Sequence, residues 1–338
     1  MAHLALESAV ELVEQALQRA GAGTAMARAA SLCLVRAEAQ GLASHGLYRV
    51  GQYATHLRNG RANGAAIPAV VKRKSSALLV DAQGGLAFGA CGLAVDQGIE
   101  AAREHGSCFV GVVRSHHAGV MVDHLRPVAA AGMVGLAFSN SPAAMPAAGG
   151  SHPIFGTNPV AAIFPRRQGD PLMLDLSLSE VARGKLMVAA REGRSIPTGW
   201  ALDPQGQPTT DPQAGMDGMM LAVGGGAKGA MLALMVELLV TAVIGARFGF
   251  EASTFFVDEG NEPGLGQVFL VIDPGALAGS ASFLDRVEQL VDEMLSDENV
   301  RLPGARRLAL ERRAAVEGLT ISDELLHQLR ALAEAPPQ

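Results

Sequence analysis

Apolar positions recur at helical spacing from Leu4 to about Asn59. Leu6, Val10, Val13 and Leu17 share one face, and Ala27, Ala30, Leu34 and Ala37 share another farther on. "NGRANGAAIP" (59–68) is turn chemistry and closes this helical region. Beyond it the period changes. "SALLVDAQ" (76–83), "CFVGVVR" (108–114) and "MVGLAFSN" (133–140) read as strands, with helices predicted over 88–106 and near 119–131. "VAAIFPR" and "PLMLDLS" add two strands, and "LSEVARGKLMVAARE" predicts a helix with capping serines ahead of it. Residues 193–227, rich in Gly, Pro and Asp, read as a long ordered loop, which is usually functional inside a compact domain. The apolar run from Met231, "MLALMVELLVTAVIGARFGF", is interrupted by Glu237 and ended by Arg247, so a buried helix fits better than a membrane span. "STFFVDE" and "GQVFLVIDP" read as the last strands, and two amphipathic helices close the pattern around "RLPGARR".

A length of 338 residues exceeds what one core usually fills, so two lobes are expected. Hydrophobic residues at 49% and charged residues at 18% exclude disorder. The net charge of −6 argues against a general nucleic-acid binder, which needs a basic surface. Three scattered cysteines, Cys33, Cys91 and Cys108, fit a reducing compartment with each thiol buried as a small apolar group. The start, "MAHLALESAVELVEQAL", shows neither the basic region nor the apolar run of a signal peptide, so a soluble cytoplasmic protein is expected.

Chemistry concentrates in "QGLASHGLYRVGQY" (40–53), which holds both tyrosines of the chain, Tyr48 and Tyr53. His45 and Arg49, four residues apart, would share a helix face, with Ser44 at the N-cap. An imidazole moves a proton near neutrality, and a guanidinium forks onto a carboxylate. The same residues also suit a surface helix with a capping serine and a solvated arginine. "RSHHAGVMVDHL" (114–125) offers three histidines, but His117 and His124 on one helix lie about 10 Å apart at 1.5 Å rise per residue, too far for one ion. No metal is expected. A strand-to-helix turn whose free N–H groups attract phosphate fits this segment better.

"GGGAKGA" (224–230) matches the spacing of a dinucleotide fingerprint but lacks a strand before it, so a Rossmann unit is rejected and an anion-binding helix start with Lys228 is kept. Asp175 and Ser177 at a strand end, Arg183 and Lys185 on the next helix, and the arginines of "RLPGARR" (301–307) complete the set. Each alone is commonly a solvated patch. Together, basic and glycine-rich turns in an acidic protein suggest a phosphate-bearing cofactor.

In their order, "SHGLYR", "RSHHAGV", "FGTNPVAAIFPR", "DLSLSEVARGK", "GWALDPQGQPTTDP", "GGAKGAMLALMVELL", "GQVFLVIDP" and "RLPGARR" resemble the non-Rossmann malate/L-lactate dehydrogenase superfamily over about residues 40–310. "SNSPAA", "FGTNPVAAIFPR" and "EASTFF" look most like its Δ1-piperideine-2-carboxylate/Δ1-pyrroline-2-carboxylate reductases. The resemblance implies an α/β fold with a largely antiparallel sheet surrounded by helices. It implies a homodimer that binds NADPH, with NADH as the alternative.

Residue by residue, the resemblance makes His45 the proton donor, oriented by Ser44. It places Arg49, Thr157, Arg183 and Gly184 on the substrate. It places His117, Ala118, Gly119, Val120 and Met121, then Asp175, Leu176 and Ser177, then Ala227 and Lys228, and finally Leu302, Pro303, Gly304, Ala305, Arg306 and Arg307 on the cofactor. Ala148 and Ala227 depart from relatives that carry larger residues, and Ala148 would widen a pocket wall.

The implied reaction reduces cyclic ketimine acids to L-pipecolate or L-proline. The alternatives are a 2-hydroxy-acid dehydrogenase acting on malate, lactate or ureidoglycolate, an idle dimeric binding protein, and a metal hydrolase. Two regions are expected: 1–70, helical and packed with the C-terminal helix of 301–338, and 71–300, which binds cofactor and dimerises. Neither nucleic acid nor membrane is an expected partner.

Overall fold

The computed structural model describes residues 1–334; positions 335–338, the end of the C-terminal helix expected to pack with residues 1–70, lie outside the described residues. Its centre is a seven-stranded sheet in the order Ala69–Lys74, Ala77–Asp81, Ser107–Ser115, Leu265–Ile272, Val134–Ser139, Val160–Phe164, Leu172–Leu176. Every pairing is antiparallel except Ala77–Asp81 with Ser107–Ser115, which the helix Ala87–His105 connects. One parallel pair builds no doubly wound nucleotide fold.

Alternation along Leu265–Ile272 separates two cores. Phe269 and Val271 pack with Val110 and Val112 under the helix Ala87–His105. That helix comes close because Gly98 offers no side chain; a Cβ there would lie 3.1 Å from Val271. Val268 faces the other side, with Phe155, Leu186, Ala233 and Val236. A third core joins the helices Leu6–Arg19, Thr24–Ala39 and Arg49–Arg58 to Leu325 and Leu329 of the helix Asp323–Glu334. Fully buried leucines such as Leu17 and Leu34 each contribute about 1.5–3 kcal/mol there.

Several expectations need correction. "STFFVDE" is irregular backbone, because its carbonyls are taken by side chains of the Arg49–Arg61 region rather than by a neighbouring strand. The loop 193–227 holds a three-stranded sheet of two-residue strands and the helix Pro212–Asp217, elements too short to leave a period. The helix after "DLSLSE" starts only at Arg183 and has no side-chain cap. Leu178 is instead pulled into a strap by Thr157 and Val223, and Ser179 Oγ donates to the Val181 carbonyl at 2.8 Å.

The apolar helix, Ala227–Leu238 continuing as a π-turn through Val243, is not wholly buried: Met231, Leu232, Leu234, Met235 and Leu238 are exposed. Cys33 is only half-buried, whereas Cys91 and Cys108 are enclosed. Among the described residues three α-helices rather than two follow the strand Leu265–Ile272, and Leu319–Ile321 pairs with Ala2–Leu4. Among the described residues no helix is long and apolar enough to cross a membrane.

Candidate active site

Gly46 decides how the first motif folds. Ala43–His45 is one 3-10 turn, and a separate helix begins at Arg49. Between them the chain presses against the helix Thr24–Ala39, so tightly that a Cβ on Gly46 would lie 3.0 Å from the Glu38 nitrogen. The Glu38 carboxylate holds the turn by accepting from Leu47 N at 2.9 Å. His45 and Arg49 therefore do not lie on one helix face, and Ser44 is not a helix cap.

The groups still converge, by another route. Ser44 Oγ lies 3.0 Å from His45 Nδ1, and Arg49 folds back to donate from Nε to the Ser44 carbonyl at 2.7 Å. The His45 ring lies tilted at 32° to that of His117, centroids 5.5 Å apart, and His117 Nδ1 lies 2.6 Å from the hydroxyl of buried Tyr53. Burial first, then the charges of Arg49 and Arg307, lower the His45 pKa to about 4. The imidazole is neutral at pH 7.

Arg183 reaches the same place from its own helix. Its Nη2 donates to the Met216 carbonyl at 3.0 Å, and its Cζ lies 5.4 Å from the Phe256 ring centroid. Arg49 Cζ lies 5.6 Å from that ring. Neither guanidinium has a carboxylate partner among the described residues. Thr157 makes no hydrogen bond to Arg49 among the described residues: its N–H donates to Ser141 Oγ and its carbonyl accepts from Leu178 N. Gly184 is exposed in the first turn of the Arg183 helix, where an added Cβ would meet open space.

The phosphate-friendly turns gather around the end of the strand Leu172–Leu176. Asp175 accepts from Val122 N at 3.3 Å and pairs with Arg307 at 3.4 Å, joining the turn 116–121 to the turn 302–307. Burial raises the Asp175 pKa, and Arg307 opposes the shift. Met173 N donates to the Pro303 carbonyl, and Gly304 packs so close that its Cβ would lie 2.7 Å from Met173 at a φ of +89°. Leu176 and Ser177 are exposed, and the strap after them reaches Val223 beside the glycine run. Ala227 and Lys228 open their helix in the exposed, and neither Lys228 nor Arg306 has a polar partner among the described residues. Ala118, Val120 and Met121 are buried, while Gly119 turns at φ +69°. Ala148 sits exposed on the hairpin between Met145–Pro146 and Pro153–Phe155.

The three histidines of "RSHHAGVMVDHL" separate completely. His116 pairs with His56 at 2.9 Å, His117 with Tyr53, and His124 donates to the Ala118 carbonyl at 2.8 Å. Sequence reasoning assigned no role to Tyr53, Phe256 or the buried trio His56, His116 and Arg61. His56 and Arg61 are five apart, but their other side-chain partners and that of Tyr53 lie 60 to 200 positions away, so local spacing does not betray the cluster, although the pairing of both tyrosines in one stretch points at Tyr53.

A helix-wrapped antiparallel sheet with a histidine–arginine site beside glycine-rich, cationic turns defines an oxidoreductase built without a Rossmann unit. The chain belongs to the malate/L-lactate dehydrogenase family, whose model matches residues 4–330. It is 46% identical over 330 residues to the (2R)-3-sulfolactate dehydrogenase (NADP(+)) of Chromohalobacter salexigens, covering 98% of each chain. It is 35% identical over 321 residues to the Δ1-pyrroline-2-carboxylate/Δ1-piperideine-2-carboxylate reductase of Pseudomonas putida, covering 95% of this chain and 94% of that one. The crystal structure of the Δ1-piperideine-2-carboxylate reductase of Pseudomonas syringae superposes with a TM-score of 0.92 at 32% identity, over 98% of this chain and all of that one (100%).

Proposed function

We propose that the protein is an NADP(H)-linked oxidoreductase interconverting a 2-hydroxy acid and its 2-oxo acid, and that its preferred acid carries a second anionic group on C3, as 3-sulfolactate does. The carrying observation is the pair of guanidinium groups, Arg49 and Arg183, without carboxylate partners beside a neutral imidazole. A dianion supplies charge to both, and forked hydrogen bonds suit a carboxylate or a sulfonate. The likeness to the sulfolactate dehydrogenase supports this choice.

The turns at 117–121, 175–177 and 302–307, the helix start at Ala227, and Lys228 and Arg306, which would be free to meet phosphate oxygens, fit a dinucleotide. When bound, NADP(H) accepts or supplies the hydride at C2. Arg49 fixes the carboxylate and so orients C2, and Thr157 and Gly184, in the first turn of its helix, border the acid. His45, steadied by Ser44, takes the hydroxyl proton during oxidation and returns it during reduction. A bound carboxylate offsets the charge of Arg49, one cause of the low pKa, so His45 becomes more basic once substrate is present.

Cyclic ketimine acids are the second reading, favoured by the two Pseudomonas proteins. A protonated cyclic imine acid has no net charge and satisfies one guanidinium only, which ranks it second. Oxaloacetate, 3-sulfopyruvate, pyruvate and Δ1-piperideine-2-carboxylate, each tried with NADPH and NADH, decide between them. The highest kcat/KM is expected for a dianion with NADPH; a higher value for the imine reverses the ranking, and turnover of none refutes both.

The exposed face of Met231, Leu234, Met235 and Leu238 supports a homodimer built within the 71–300 region, with residues 1–70 and the C-terminal helices as a separate packing unit. Sedimentation at micromolar concentration should give twice the chain mass; a monomer refutes the dimer.

A further inference from the structure

We propose that Phe256 is a specificity-determining gate: its ring occupies the place that the second anionic group of the substrate takes between Arg49 and Arg183. This rests on reading those two residues as the substrate's anion clamp. The ring is 55% exposed, yet it stands within cation–π distance of both guanidinium groups, whose Cζ atoms are therefore at most about 11 Å apart. Its negative face is an uncharged substitute for an anion. Phe255 differs, being buried against His116 at 5.1 Å and His117 at 5.4 Å.

The backbone carrying Phe256 is fastened on both sides. Arg61, 1% exposed, donates to the carbonyls of Ser253, Thr254, Val257 and Asn261. Gln52 donates to the Phe255 carbonyl and Asn59 to that of Asp258. With the main chain held, rotation of the side chain is the movement left. A monoanionic acid uses one arginine and leaves the ring in place against the other. A dianion displaces it, so the ring keeps stray anions off the second guanidinium until the right substrate arrives.

The test compares Phe256→Ala and Phe256→Leu with the wild type on pyruvate and oxaloacetate, with inorganic sulfate as inhibitor. Two exposed cation–π contacts, each worth a few-fold, set the scale. In both variants the ratio of pyruvate KM to oxaloacetate KM should rise about five-fold, and the inhibition constant for sulfate should fall about five-fold. Equal KM changes for the two acids, or unchanged sulfate inhibition, overturn the proposal. Were the wild type to reduce neither acid, the functional reading would fail by itself. Calorimetric titration of sulfate into wild type and variants would still decide for Phe256: unchanged affinity refutes the gate.

Discussion

Two histidine–arginine pairs lie close together in the chain and have opposite surroundings. His45 and Arg49 are four residues apart and half-buried, and the arginine has only neutral partners. His56 and Arg61 are five apart and enclosed, and the arginine's N–H groups are taken up by four carbonyls and the His56 ring. In spacing and residue type they are nearly the same motif. What separates them is satisfaction: the first cation has capacity left for a ligand, whereas the second is used up holding a loop. An arginine marks a binding site by the hydrogen bonds it has not yet made.

The largest test sets the two histidines against each other. His45→Ala should lower kcat by about 10²- to 10⁴-fold, the usual worth of a positioned acid–base group, with little change in Tm. His56→Gln should keep kcat within a few-fold, because its amide can still accept from Arg61 and donate to His116. Arg49→Ala should add a raised KM for the acid. Steady-state kinetics beside thermal melts reads all three; comparable kcat losses at positions 45 and 56 would erase the distinction between open and sealed pairs.

Next in size is the sealed cation itself. Arg61→Met fills similar volume but strips four carbonyls of their donor, a change expected to cost about 3 kcal/mol. Arg61→Lys keeps the charge without the fork and should restore only part of it. Urea unfolding measures both, and a loss below about 1 kcal/mol for the methionine variant would mean that water satisfies the loop as well as Arg61 does.

How much of this the sequence showed depends on range. Periodic segments such as 88–106 and 265–272 were legible, because one buried face imposes a repeat over many residues. The seven-stranded order was not, since strand neighbours like Val134–Ser139 and Leu265–Ile272 are distant in the chain. At the proposed site, local spacing and family likeness single out Ser44, His45 and Arg49, and the structure brings them together by another geometry: contact with Glu38 at Gly46 replaces the expected helix with a turn. Phe256 was hidden in a segment that reads as a strand, because β-branched and aromatic residues look alike whether they pair with a strand or with two arginines.

The smallest effect, and the one that probes both pairs at once, is acid lability. Arg61 can only donate, so His56 Nε2 is bare and its Nδ1–H donates to His116 Nε2. Both rings are thus held neutral, with Arg61 on one side and the charge of Asp258 opposing it at His56. Burial, then Arg61, lowers the His56 pKa to about 4, and burial also lowers that of His116. Between the ordinary value of 6.5 and about 4 the unfolded chain binds protons that the native state refuses, so stability is full above pH 6.5 and declines as pH falls toward 4. The slope reaches about 1.4 kcal/mol per pH unit for each histidine. Urea midpoints at pH 7, 6 and 5 should fall in that order, and His56→Gln should flatten the trend; a midpoint unchanged from pH 7 to 5 would show that the trio is not sealed. Sulfate tells the pairs apart. An anion beside Arg49 eases protonation of His45 but cannot reach His56, so sulfate should move the acid limb of kcat/KM for hydroxy-acid oxidation to higher pH while leaving the pH dependence of unfolding in place.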